Sequence, residues 1–281
     1  MDREWATWIG RSDRSSDRIG ASPLARLAAT LDRNDPPPRD GDPLPPLSHW
    51  LYFLPGYRES DVGPDGHARR GGFLPPIPLP RRMWAGGRLT FRAPLHVGDA
   101  VSRDSQIVDV VHKQGHSGPL VFVVVRHTIS GERGVAIVEE HDIVYRSEAR
   151  GERDAQPTPA PVDAAWSREI HPDPVLLFRY SALTFNSHRI HYDHRYVTEV
   201  EHYPGLVVHG PLIATLIVDL LRRAMPQARL AAFAFRAKSP LFDGEPFFVR
   251  GKPAHDGASV HLWAESVHEA LAMDATATLA S

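Results

Sequence analysis

Leu212, Ile213, Leu216, Ile217, Leu220 and Leu221 fall at i, i+1, i+4, i+5, i+8 and i+9, the spacing of one broad apolar face on a helix. Arg222 and Arg223 sit in its last turn, where cations suit the dipole, and Pro226 stops it. Just ahead of this helix lies a loop crowded with titratable side chains, Asn186-Ser187-His188-Arg189-Ile190-His191-Tyr192-Asp193, followed by Val208-His209-Gly210-Pro211 at the helix start. A polar loop set against a buried helix is what a small-molecule site needs. The stretch from Phe178 to Arg223 therefore organises the rest of the chain.

The remaining segments supply walls. Ser22 is placed to cap a short helix through Pro23 to Leu31, with Pro23 at its first position. Proline punctuates the region Pro43 to Gly56, which leaves room for at most a short helix. The segment from Gly72 to Gly87 is apolar yet reads as irregular, and an apolar loop of this kind is core lining or a ligand-contacting wall. From Leu89 to Leu95, Ala100 to Val111, Leu120 to Ile129 and Gly134 to Tyr145 the pattern is that of strands, parted by turns such as Gly115-His116-Ser117-Gly118. Strands this long and closely connected form an antiparallel sheet. Pro174 to Tyr180 opens a second unit, and strands return from Leu230 to Ser281.

One internal comparison orders these pieces. Phe91-Arg92-Ala93-Pro94-Leu95 resembles Phe235-Arg236-Ala237 followed, after a small insertion, by Pro240-Leu241. A duplicated unit is the economical explanation. Residues 147–165 lose the apolar pattern and gain proline and charge, which predicts an N-terminal domain over 1–146, a linker over 147–165 and a C-terminal domain over 166–281. Only the second keeps a long helix before its sheet, so one active site per chain is expected there. The 281 residues are enough for two domains of roughly 130 to 150 residues each.

Formal charge narrows the partners. A net charge of -2 gives no basic footprint, so nucleic acid is not expected. With no cysteine there is no disulfide, thiolate metal site or cysteine nucleophile, a composition compatible with a reducing cytoplasm. No apolar run approaches the roughly 18 residues of a membrane helix, and the charged N-terminus lacks a signal-peptide core. A cytoplasmic protein that binds neither membrane nor nucleic acid is the expectation.

Within the polar loop, His191 is the strongest general acid/base candidate, because an imidazole takes and gives a proton near neutrality. Asn186 can hold a water or a carbonyl but cannot be a base. At the helix start, the Gly210 N–H and the dipole can polarise a carbonyl oxygen. His209 is either a packing residue or part of the site, and Tyr180 and Ser181 are candidates to line it. His188, His191 and His194 are spaced i, i+3, i+6, but no supporting ligand pattern accompanies them and no metal is expected. Arg189, Arg236 and Lys238 are candidates for phosphate contacts or for solvated surface.

The string Asn186 to Asp193 followed by Val208-His209-Gly210-Pro211 resembles the signature of the MaoC-like (R)-specific enoyl-thioester hydratases. FRYSALTFNSHRIHYD, with Pro80-Arg81-Arg82-Met83-Trp84-Ala85-Gly86-Gly87, resembles more closely the double hot-dog subgroup that includes mesaconyl-C4-CoA hydratase, itaconyl-CoA hydratase and type 2 hydroxyacyl-thioester dehydratases. The resemblance implies an α+β double hot-dog fold, two antiparallel sheets each wrapped on a helix, with the N-terminal unit degenerate and its helix shortened. It implies a hydro-lyase that acts on an enoyl-CoA thioester without a cofactor, with a homodimer possible. Catalysis would rest on His191, Asn186 and Gly210, and substrate contacts on Tyr180, Ser181, His209, Arg81, Arg82 and Trp84. Arg81 or Arg82 would meet a free carboxylate on a dicarboxylic acyl group. The family carries an aspartate five positions before its histidine, and here Asn186 stands there; Asp193 is the nearest acid in sequence. Three alternatives remain: a 3-hydroxyacyl-thioester dehydratase of fatty-acid synthesis, a thioesterase, and a non-catalytic thioester-binding subunit.

Overall fold

A computed structural model describes residues 5–115, 118–147 and 157–280. His116, Ser117 and residues 148–156 of the expected linker lie outside the described residues. Beyond them the chain is already engaged, since Leu271 N–H donates to Thr158 and Ala160 N–H to Glu269.

Among the described residues, ten strands form one antiparallel sheet: β1 (Ser12–Arg18), β2 (Arg81–Phe91), β3 (Ala100–Gly115), β4 (Gly118–Gly131), β5 (Gly134–Arg146), β6 (Trp166–Ile170), β7 (Leu230–Ala237), β8 (Phe247–Pro253), β9 (Ser259–Ser266) and β10 (Leu271–Leu279). Their order is β1-β3-β4-β5-β2-β7-β10-β9-β8-β6. From either edge to the centre the sequence of strands within each half is the same: first, third, fourth, fifth, second. The halves join through β2 and β7, where Leu89 pairs with Phe233. The offset that aligns Phe91 with Phe235 also aligns Leu89 with Phe233, so a pseudo-twofold axis runs between these two residues. The duplication expected from the FRA strings is thus visible as topology, and the two expected sheets are fused into one.

The described residues also form four α-helices: α1 (Ala21–Thr30), α2 (Pro174–Thr184), α3 (His194–Glu199) and α4 (Gly210–Ala224). The approach to the hot-dog helix is held alike in both halves. Pro43 bridges His96 as Val207 bridges Phe242, and Leu44 N–H donates to Leu95 as Val208 N–H does to Leu241. In the second half this segment runs into α4. In the first it follows Pro45 and Pro46 with only a four-residue 3-10 turn, Ser48–Leu51, because Leu47 before it and Phe53 after it sit in the left-handed region, φ +66° and +56°, and break the helix on both sides. This is the double hot-dog with a degenerate first unit.

Every residue of α4 from Leu212 to Leu221 is buried, Thr215 and Asp219 included. The helix is enclosed on all sides by β6, β8, β9, β10 and the first half, so the single apolar face read from spacing understates its burial. Leu216 is 2% exposed. Leu216→Ala should cost ~2–5 kcal/mol, read as a shift in denaturant midpoint; a loss under ~1 kcal/mol would show that the site collapses around the missing side chain.

Near the C-terminal end of α4, Asp219 is 1% exposed. It accepts hydrogen bonds from Arg33 Nη1, Arg168 Nη1 and Arg223 Nε, each 2.7 Å. Arg168 and Arg223 also donate to Leu31 O, just past α1, at 3.0 Å. One carboxylate therefore ties α1, β6 and α4 together. A second buried carboxylate, Glu139 on β5, accepts from His49 (2.9 Å), Trp50 (2.8 Å) and His141 (2.5 Å) under the shortened turn. Although burial opposes ionisation, the charges of His141 and His49 hold Glu139 well below the usual carboxylate range.

Three local expectations change. The α1 cap is Gly20 and not Ser22, which lies inside the helix. Residues 81–87, read as irregular, belong to β2. Gly86 is there because β7 passes so close that a Cβ would lie 2.6 Å from Phe235 O, and the register shifts between Trp84 and Gly86. Strand β1 escapes sequence reading because SDRSSDR lies on an edge with no buried side chain to betray the period. Of the apolar loop, Phe73, Leu74, Ile77 and Leu79 pack with Ile107, Val121, Val123, Val125 and Tyr145, as core lining does. Among the described residues no helix is long and apolar enough to cross a membrane.

Candidate active site

The polar loop is assembled from short, individually satisfied pieces. Asp173 caps α2 by accepting from Leu176 N at 2.7 Å. The helix ends at Phe185 in the left-handed region, φ +50°, which turns the chain sharply into the loop. Asn186 Oδ1 accepts from His188 N at 3.0 Å and fixes the next turn. Asp193, the nearest acid in sequence, caps α3 through Tyr196 N (3.0 Å) and pairs with Arg189 (2.8 Å). Its carboxylate is thus spent on structure.

His191 is 8% exposed and places Nδ1 2.7 Å from Val207 O. A carbonyl only accepts, so Nδ1 carries the proton and Nε2 presents its lone pair. Burial pushes the His191 imidazole down to about 4, against the support of the Val207 bond and with help from the charge of His67. The ring is therefore neutral at physiological pH and available as a base.

His209 stacks on His191 at 3.7 Å between centroids and 18° between planes. Its Nε2 lies 2.8 Å from Ser181 Oγ, while its Nδ1 is buried without a hydrogen-bond partner. Tyr180 meets His209 edge-on at 5.1 Å and lies 3.5 Å from Thr215 Oγ1. Burial lowers His209 well below its ordinary value and raises Tyr180. The buried Tyr180 and Ser181 thus form the floor under the two imidazoles.

Gly210 opens α4. No side chain caps this end and Pro211 has no N–H, which leaves the Gly210 and Leu212 amides as the first-turn donors without intrahelical acceptors. A Cβ on Gly210 would find Trp84 O nearest, at 3.8 Å. Trp84 on β2 thus stands beside the helix start, its indole N–H donating to Gly86 O and its ring packed on Trp50, Phe235 and His141. The part of Trp84 that faces Gly210 is thus its backbone carbonyl.

The two candidate arginines differ. Arg81 donates to Tyr203 Oη (3.0 Å) and to Glu201 O (3.1 Å), and pairs with the Glu201 carboxylate at 3.8 Å. Arg82 is half-buried on the same face of β2 as Trp84, and its positive charge is felt at His67, His188 and Tyr145. Arg189 is held by Asp193 and Pro64 O, whereas Arg236 and Lys238 are exposed.

Sequence reasoning missed a loop from the first half. Asp65 and His67 lie against His188, and with it they form the one group among the described residues whose donor atoms could surround a metal ion, all within 4.8 Å. Burial lowers His67 against the support of Asp65, and the charges of Arg82 and Arg70 lower it further, a field that opposes a divalent cation. No sequence spacing could have found this loop, because more than a hundred residues separate it from His188.

Compared with known proteins, residues 47–243 match the family model described as hydroxyacyl-thioester dehydratase type 2. The chain is 46% identical over 279 residues to mesaconyl-C(4)-CoA hydratase of Chloroflexus aurantiacus, with 98% of each covered. It is 28% identical over 269 residues to the mitochondrial hydroxyacyl-thioester dehydratase type 2 of Schizosaccharomyces pombe, covering 83% of this chain and 87% of that one. A Mycobacterium tuberculosis protein described as having a double hot-dog fold superposes with a TM-score of 0.57 at 13% identity, covering 97% of this chain and 96% of that one, which speaks to fold alone. A family model spanning most of the chain and a near full-length relative agree with the fold, and the chain belongs to the hydroxyacyl-thioester dehydratase type 2 family.

Proposed function

We propose that the protein is an acyl-CoA hydratase that adds water reversibly across the C=C of a short dicarboxylic enoyl thioester of the mesaconyl-C4-CoA type. The observation that carries this reading is the neutral, tautomer-fixed His191 next to the uncapped first turn of α4. With the thioester oxygen at the Gly210 N–H, His191 Nε2 takes a proton from water as the water oxygen bonds to Cβ. The C=C electron pair moves onto the thioester as an enolate, which the helix amides stabilise. The proton then passes from Nε2–H to Cα, so the bonds balance and the imidazole is restored. Because Asn186 Oδ1 is engaged by His188 N, its NH₂ is the part left to donate to the water oxygen and orient it.

The dicarboxylic preference is supported by Arg82. Positions 82 and 84 are one strand repeat apart, about 6.6 Å, a distance suited to a methyl-branched acyl group whose four-carbon chain ends in the thioester carbonyl beside Trp84 and in a free carboxylate at the guanidinium. Arg82→Met should raise KM for mesaconyl-C4-CoA ~10- to 100-fold and leave crotonyl-CoA, which has no second carboxylate, close to wild type. Equal effects on both substrates would remove Arg82 from carboxylate recognition. Loss of enoyl absorbance across a panel including itaconyl-CoA and longer 3-hydroxyacyl thioesters tests the substrate itself; faster dehydration of the long chains would favour the fatty-acid dehydratase reading. A cytoplasmic location and a homodimer belong to the same proposal. Light scattering tests the dimer.

A further inference from the structure

We infer that the loop carrying Asp65 and His67, contributed by the first half of the chain, completes the active site of the second half. The pair are positioning residues that hold His188 against His191, ordering the imidazoles while Asn186 orients the water. The inference rests on the hydratase reading above.

The two loops are docked through the backbone carbonyls of the first-half loop. Arg189 N donates to Asp65 O and Arg189 Nη1 to Pro64 O, both at 2.9 Å, and Ser187 Oγ donates to Gly66 O at 2.5 Å. Gly66 sits at φ +88°, where a Cβ would overlap Ser187 O, so only glycine allows this approach. Within its own turn, Gly63 N donates to His67 O at 2.6 Å. Both Asp65 oxygens are used on His67, one on its backbone N–H at 3.0 Å and the other on Nδ1 at 3.2 Å. Half-burial alone would raise Asp65, but the two His67 bonds hold it well below the usual carboxylate range. An ionised carboxylate accepts, so His67 Nδ1 is the protonated nitrogen and the ring is locked.

From that anchor four imidazoles run in a row. His67 lies 3.9 Å from His188 between centroids, His188 meets His191 edge-on at 5.5 Å, and His191 stacks on His209 at 3.7 Å. Asp65 fixes one end of the row and Ser181 the other. Asn186 and Asp193 are already committed to backbone N–H groups, so Asp65 is the carboxylate that reaches this row among the described residues. The charged and titratable groups facing His191 and His188 are His67, His209, Asp65 and Arg82. Displacing His67 would let the His188 ring rotate and leave His191 held only by Val207 O and the His209 ring.

The test uses His67→Gln and the near-isosteric Asp65→Asn in the full-length protein, each checked for an unchanged thermal unfolding midpoint. With mesaconyl-C4-CoA, kcat should fall ~10- to 100-fold while KM stays within about threefold. In His67→Gln, the His191 imidazole followed by ¹⁵N NMR should titrate at a higher pH than in the wild type, because the His67 charge that disfavours its protonation is gone. Wild-type kcat in both variants with an unmoved His191 titration would overturn the inference. Should His67→Gln fail to fold, Asp65→Asn decides: a kcat loss with KM kept supports positioning, and wild-type kcat overturns it. The titration needs no substrate, so a wild-type protein that hydrates none of the thioesters would sink the hydratase reading while leaving this inference separately decidable.

Discussion

His191→Ala is expected to lower kcat ~10²- to 10⁴-fold with KM little changed, because the ring is asked to move a proton and not to bind the thioester. The background left by the α4 amides and by proximity keeps the variant above the uncatalysed rate. The same residue sets the acid side of the pH profile. His191 works as the neutral base, and burial holds its pKa down to about 4. Hydration should therefore be insensitive to this group above roughly pH 5 and decline as pH falls through about 4. A profile whose limb lies near the ordinary histidine value, or a His191→Ala variant of near-wild-type turnover, would remove His191 from the chemistry.

Asp219→Ala is the second large effect, and it concerns stability. The carboxylate is 1% exposed and shared by three guanidiniums whose side chains are 15% (Arg33), 24% (Arg168) and 35% (Arg223) exposed. Removing it leaves Arg168 partly desolvated without its counter-charge and Arg33 with Asp35 alone, a loss of ~3–5 kcal/mol when the site cannot relax. The comparison is with the outer face of the sheet, where Arg88 and Arg126 pair with Glu140 and Asp142 in solvent; Arg126→Ala there should cost under ~1 kcal/mol. Urea unfolding distinguishes the two, and an Asp219→Ala loss as small as that of the surface variant would mean that the arginines escape into water.

What could be read from the chain alone followed from local physics. The α4 stripe, the proline block ahead of the Ser48–Leu51 turn, and the repeated FRA strings each leave a periodic or steric trace within a few residues, and each reappears in the fold. The nearness of the polar loop to the start of α4 was also legible, because His191 and His209 are close in sequence and stack in the structure. Edge strand β1 was not, since exposed polar side chains carry no period. Gly86 and Gly66 look alike as letters, yet one permits a strand to pass Phe235 and the other permits a loop to touch Ser187. Asp65 and His67 were hidden for the same reason: their meaning comes from a contact made only after the halves have come together.

That contact also says something about how a protein of this shape can change over time. In an assembly of two identical subunits, any loss in one copy is a loss in both, so a helix cannot be surrendered at one site and kept at the other. A tandem chain joined at Leu89 and Phe233 escapes that constraint. One repeat can give up its own helix and become the scaffold that reaches across to its sibling, and the molecule thereby exchanges two equivalent centres for a single centre built by a division of labour.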